Sequence, residues 1–188
     1  ENREFYAPKV VYELQRKGIR VSATNRPFQF KNEEGEWTMG YGTYQVLTHN
    51  QPLPSDVLYA TLDELAKNTG VDIYSANTGL MADVDFGSPA FKPLEQPKVA
   101  MLVGRGESGE IWFLLDKRFQ MRPVLIENPS LTGKDLKAYN VIILANGVPN
   151  LTKGTETALK EWVAAGGVLI ATGKASGWAG EQALISLK

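Results

Sequence analysis

The sequence predicts an α/β fold built on a mostly parallel, doubly wound sheet, and three observations predict it. After Pro97, short continuous apolar runs (KVAMLVG, RPVLIE, YNVIILANG and GVLIATG) read as strands buried on both faces. Helical segments alternate with those runs, and strands separated by helices pair in parallel through right-handed crossovers, with helices on both faces of the sheet. Between about 77 and 96 the composition changes to Gly, Pro, Asp and Ser (TGLMADVDFGSPAFKPLEQP), where turn chemistry displaces regular structure. That change places a domain junction and divides the chain into 1–92, an α/β segment incomplete at its start, and an α/β domain over 93–188.

Element by element, Tyr6, Val10, Val11 and Leu14 recur at helical spacing and Gly18 stands where a C-terminal cap belongs, which predicts a first helix over roughly 6–17. Ile19–Thr24 and Gly42–Thr48 read as strands separated by the polar, hairpin-like stretch KNEEGEW. Ser55 is a predicted N-cap for a helix carrying Val57, Leu58, Leu62, Leu65 and Ala66, and Val71–Tyr74 is a short strand. The first half therefore reads as βα-like. In the second half KVAMLVG is a strand, EIWFLLDKRF a helix, RPVLIE and YNVIILANG two further strands, TETALKEWVAAGG a helix opened by Thr155, and GVLIATG a fourth strand. Ligands of such sheets bind beyond the carboxyl ends of the strands, near the point where strand order reverses. The loops to watch follow Val103, Glu127, Ala145 and Thr172.

Composition narrows the chemistry. The 188 residues hold no cysteine and one histidine, His49, so a cysteine nucleophile is excluded and a zinc site, which needs several converging ligands and an open position, has almost no donors to draw on. Twenty basic and 21 acidic side chains leave a net charge of −1, which offers no field to attract nucleic acid or an anionic membrane. No apolar run reaches the roughly 20 residues needed to cross a bilayer, and ENREFYAPKV lacks the apolar core of a signal peptide. The chain begins without Met and ends soon after an apparent helix, as expected for a piece of a longer protein.

One loop spells a nucleotide fingerprint: Gly104, Gly106 and Gly109 form GxGxxG directly after a strand and at the mouth of a helix, with Glu127 ending the next strand where a ribose-binding carboxylate would sit. A pyrophosphate there would rest on the helix N-terminus. Glu107 and Glu110 would repel it, with Arg105 offsetting part of the cost. The plainer reading is that the glycines permit a tight turn and the glutamates satisfy the helix dipole. Other residues have equally plain roles: His49 as a loop histidine, Asp83 and Asp85 as turn formers without a full set of calcium donors, and Trp112 and Phe113 as packing against the sheet beside Ile111, Leu114 and Leu115.

The ordered phrases GTYQVLTHNQP, VDIYSANTGL, VDFGSPAFKPLEQPKVAMLVG, GEIWFLLDKRF, YNVIILANG and AAGGVLIATG resemble the region downstream of the catalytic domain in large bacterial zinc carboxypeptidases of the M14 type. The resemblance runs from about Tyr6 to Trp178. That family's zinc ligands, a His-x-x-Glu pair and a distant His, have no counterpart in this chain, so the resemblance implies an accessory region with no cofactor of its own. Zinc is expected in a parent peptidase domain upstream of Glu1, which is the expected partner, and the family implies export to the periplasm or beyond.

Residues 97–188 are also similar to the flavodoxin-like fold of class I glutamine amidotransferases, whose nucleophilic Cys sits in the sharp turn after the strand corresponding to GVLIATG. Here that turn reads Ala171, Thr172, Gly173, Lys174, so Thr172 or Gly173 stands where the Cys would be. Asn146 and Gly147 follow the strand from which such folds present backbone N–H groups to an oxyanion, and donors of that kind stabilise nothing without a nucleophile nearby. The resemblance implies a sheet that has lost its chemistry; Gly104, Gly106, Gly109, Asn146, Gly147 and Lys174 lie in the carboxyl-end loops, the candidate ligand loops of such a sheet.

Overall fold

A computed structural model describes residues 4–81, 83–103, 108–127, 131–146 and 151–182. The chain divides into two compact units, Glu1–Gln96 and Pro97–Lys188.

The first unit opens with helix α1 (Ala7–Arg16), whose Ala7, Val10, Val11 and Leu14 form one buried stripe. Pro8 sits in its first turn, where a missing N–H costs no hydrogen bond. Gly18, at φ +76°, turns the chain out of the helix, a conformation that favours glycine. Strand β1 (Ser22–Thr24) follows, then the hairpin β2 (Phe28–Asn32) and β3 (Gly35–Met39), the two-residue strand β4 (Tyr44–Gln45), helix α2 (Ser55–Thr69) and strand β5 (Phe91–Pro93). β1 lies between β4 and β5 and pairs antiparallel with both.

This corrects the βα reading of the first half: its described sheets are antiparallel, and the parallel sheet belongs to the second unit alone. Val71–Tyr74 forms no strand, and the Gly- and Pro-rich stretch contributes β5 through Phe91, which is buried among Phe28, Phe86 and Val84. KNEEGEW is the heart of the β2–β3 hairpin. Asn32 Oδ1 accepts from the Glu34 and Gly35 N–H groups and from Trp37 Nε1, so one side chain satisfies the donors of the turn. Ser55 is the first residue of α2, not its cap; Pro54 holds the cap position without a side-chain hydrogen bond.

The second unit runs β6 (Val99–Leu102), α3 (Gly109–Trp112) widening into a π-helical turn over Phe113–Arg118, β7 (Val124–Ile126), α4 (Gly133–Leu136), β8 (Val141–Leu144), α5 (Lys153–Ala164), β9 (Val168–Ala171) and α6 (Lys174–Glu181). The four strands form one parallel sheet in the order β7-β6-β8-β9, in register Leu102↔Ile126, Leu102↔Leu144 and Leu144↔Ala171. β6 and β8 are central and buried along their lengths apart from Val141, as their unbroken apolar runs predict.

On one face Ala100, Leu102, Ile142 and Leu144 pack with Leu136 of α4, Leu159 and Trp162 of α5 and Ala175 of α6. On the other, Val99, Met101 and Ile143 meet Ile111, Trp112 and Leu115. Each such fully buried aliphatic side chain contributes roughly 1.5–3 kcal/mol. Trp112 thus packs on the sheet as expected, while Phe113 turns outward, 49% exposed. Thr155 does not open α5; Thr152 caps it, accepting from the Thr155 N–H, and the buried Thr155 hydroxyl donates to Leu131 O.

Candidate functional site

Order in the parallel sheet reverses between β6 and β8, and the carboxyl ends of those strands and of β9 are where a ligand of this sheet would sit. Gly104, Gly106 and Gly147 lie outside the described residues. Gly109 is the first residue of α3, whose four residues carry Glu110 in the first turn and no side-chain cap from Ser108. Glu127 follows β7 and is exposed. Thr172, Gly173, Lys174 and Asn146 are brought together.

Their geometry follows from one turn. β9 ends at Ala171, and the Thr172 N–H still donates to Leu144 O at 3.0 Å. The chain then reverses through Gly173, at φ +55° and ψ −128°, straight into α6. Left-handed backbone of this kind is costly for any residue with a Cβ. Space is also lacking: a Cβ at Gly173 would stand 2.8 Å from Cγ and Oδ1 of Asn146. Asn146, just beyond β8, fills that space and accepts the Lys174 N–H at 3.0 Å. The Ala175 N–H donates to Thr172 O, the Ser176 N–H to Gly173 O, and the Ser176 hydroxyl to Ala171 O.

The donors at the start of α6 are therefore committed within the protein. Thr172 Oγ1 is buried and makes no hydrogen bond among the described residues, so a substrate does not reach it. Among the described residues that hydroxyl is neither exposed nor paired with a base, the two conditions a nucleophile needs. Of Thr172 and Gly173, Gly173 holds the strained turn and Thr172 is the first residue past the strand.

Elsewhere, His49 is exposed beside Asn50, which has φ +57°. Asp85 Oδ1 accepts the Met81 N–H and Asp85 O the Ser88 N–H, which is turn-forming work. No three His, Cys, Asp or Glu side chains converge among the described residues. No helix among them is long and apolar enough to cross a membrane.

Sequence reasoning missed a cavity of about 160 Å³ in the first unit, between α1, the β4 strand and Val71–Ala76. Thr43, Tyr44, Gln45 and Asp72 stand among its mostly apolar lining, and β4 is too short for alternation to show which of its side chains turn inward. Comparison of the chain with family models, characterised proteins and solved structures finds no match.

Proposed function

We propose that this chain is a non-catalytic accessory module of a zinc metallocarboxypeptidase, in which residues 97–188 keep the flavodoxin-like sheet of a class I glutamine amidotransferase without its chemistry. The observation that carries the reading is Gly173. A nucleophile elbow is a sharp, strained strand-to-helix turn whose central residue exposes its side chain, while the N–H of the next residue faces the oxyanion. Here the central residue has no side chain, Asn146 occupies the space one would fill, and the same Asn146 takes the Lys174 N–H.

Strand order supports the same reading. Counted within the unit, β7-β6-β8-β9 is 2-1-3-4, the arrangement with which flavodoxin-like sheets begin. Val168 and Ile170 on β9 are 52% and 44% exposed, apolar surface that a neighbouring domain would cover. The module's role is thus to support or position the peptidase domain, and peptide hydrolysis belongs to that domain and its zinc.

Two measurements test this. The purified chain should leave glutamine, ester and peptide substrates unturned, and the reading frame upstream of Glu1 should encode a zinc-peptidase domain. Turnover abolished by one substitution within the chain, or an unrelated upstream domain, refutes the proposal. The alternative, a nucleotide held by the Gly104-Gly106-Gly109 loop, requires millimolar NAD, NADP or ATP to raise the melting temperature, because a ligand that binds only the folded state stabilises it.

A further inference from the structure

Among the described residues β9 pairs with β8 alone, so its other side is an open edge. Natural sheets blunt such edges with charge, proline or a bulge. Here no charged residue and no proline lies between Glu161 and Lys174. The opposite edge of the sheet, β7, is protected: Pro123 precedes it without an N–H to offer, and Arg122 and Glu127 flank it. The Val103 N–H donates to Ile126 O, so Val124 and Ile126 turn their main-chain groups toward β6 and only Leu125 turns them outward.

Parity decides what β9 offers. The Val168 N–H donates to Asn140 O and the Thr172 N–H to Leu144 O, so Val168, Ile170 and Thr172 address β8, while Gly167, Leu169 and Ala171 address the open edge. Two of those outward groups are already committed. The Gly167 N–H donates to Trp162 O at 3.0 Å, and Ala171 O accepts the Ser176 hydroxyl at 3.0 Å. What remains is the Gly167 carbonyl, both groups of Leu169 and the Ala171 N–H.

That remainder is complementary to itself. When two antiparallel copies of β9 meet on a twofold axis at Leu169, each Leu169 N–H faces the partner's Leu169 O, and each Ala171 N–H faces the partner's Gly167 O. The committed Gly167 N–H and Ala171 O fall opposite each other, where neither needs a bond. Side chains agree with this register, because Val168 then stands across from the partner's Ile170. Both are apolar and β-branched, 52% and 44% exposed, on the sheet face of Val141 and Ile143 but outside the cluster that α3 covers. Without charges near the axis, the symmetry brings no like charges together.

We propose that β9 is a homodimerisation edge, on which a second copy of this chain docks antiparallel with Leu169 at the twofold axis and continues the sheet. The domain that covers Val168 and Ile170 is then this same unit of the second copy, and the pairing holds whether or not the parent chain is a peptidase.

The experiment uses the whole chain. Sedimentation at rising concentration should show the 20.7 kDa chain passing to twice that mass. Ile170→Lys places its charge in solvent in the monomer but in the apolar centre of the dimer, so it should stay monomeric throughout and keep the parent's circular dichroism spectrum. Introduced disulfides read the register, since the chain has no cysteine of its own. A mixture of Val168→Cys and Ile170→Cys chains should cross-link about tenfold faster than either variant alone: positions 168 and 170 oppose each other at about 4.5 Å between Cα atoms, whereas like positions lie diagonally at roughly 7–8 Å, beyond disulfide reach. A monomer at every concentration, a dimer that survives Ile170→Lys, or a mixture that cross-links no faster than its components overturns the proposal. So does slow hydrogen exchange of the Leu169 and Ala171 amides in the dilute monomer, which would mean that another segment of the same chain already holds the edge.

Discussion

Asn146 Oδ1 accepts the main-chain N–H of Lys174 at 3.0 Å, and this one bond ties the end of β8 to the start of α6 across the mouth of the parallel sheet. It also explains why the turn residue is glycine. The side chain that makes the bond lies where the Cβ of residue 173 would be, so the hydrogen bond and a side chain at 173 exclude each other.

Gly173→Ala is therefore expected to destabilise the second unit by roughly 2–3 kcal/mol, from a left-handed φ combined with a steric clash. Adding Asn146→Gly should recover the steric part but not the backbone part. A urea-denaturation double-mutant cycle reads the difference as a coupling energy. Additive effects would show that Asn146 does not occupy the contested space.

Legibility in the sequence followed burial. β6 and β8 are enclosed on both sides, so VAML and VIIL stand out as unbroken apolar runs, and the parallel sheet could be read from them. The first unit hid its sheets because its strands are short and its ordering devices are side chains. Phe28 and Phe30 alternate with Gln29 and Lys31, and Trp37 alternates with Glu36 and Thr38, yet only the polar stretch between them shows in the sequence, as hairpin-like, and not the two strands that flank it. Asn32 accepting three N–H groups has no signature beyond an Asn three residues before a Gly. At the candidate site the turn is legible at Thr172 or Gly173, but which of the two holds it is not. That choice depends on the close approach of Asn146, 27 residues away in the chain, which no local pattern encodes.

A second close approach lies at the start of β9. A Cβ added at Gly167 would overlap the Trp162 indole, whose Nε1–H donates to Tyr139 O at 3.3 Å. The backbone of Gly167 is not left-handed, so the constraint is steric alone. Gly167→Ala should cost about 1–3 kcal/mol by overpacking and shift the tryptophan emission as the indole moves. A stability within 0.5 kcal/mol of the parent, with unchanged emission, would contradict the packing described.

Thr152 is the cap on which α5 depends. Its hydroxyl accepts the Thr155 N–H at 3.2 Å and lies 3.0 Å from the Thr155 hydroxyl. Thr152→Ala leaves the first turn with an unmet donor and should lower stability by about 1 kcal/mol, whereas Thr152→Ser should retain most of it. Equal urea midpoints for the Ala and Ser variants would show that the cap contributes nothing.

Tyr44 provides a test by pH. Burial pushes its phenol above the ordinary value, because the ionised form is poorly solvated in the fold. Above pH ~10 the unfolded chain releases the phenolic proton while the folded chain retains it, so the folded state binds more protons and stability falls as pH rises. The contribution is fully present below the unfolded pKa and is lost as pH climbs through the folded one. Tyr44→Phe has no proton to retain, and its urea midpoint should fall less than the parent's between about pH 9 and 11. Parallel decline of the two proteins across that window would mean that Tyr44 ionises as freely in the fold as in the unfolded chain.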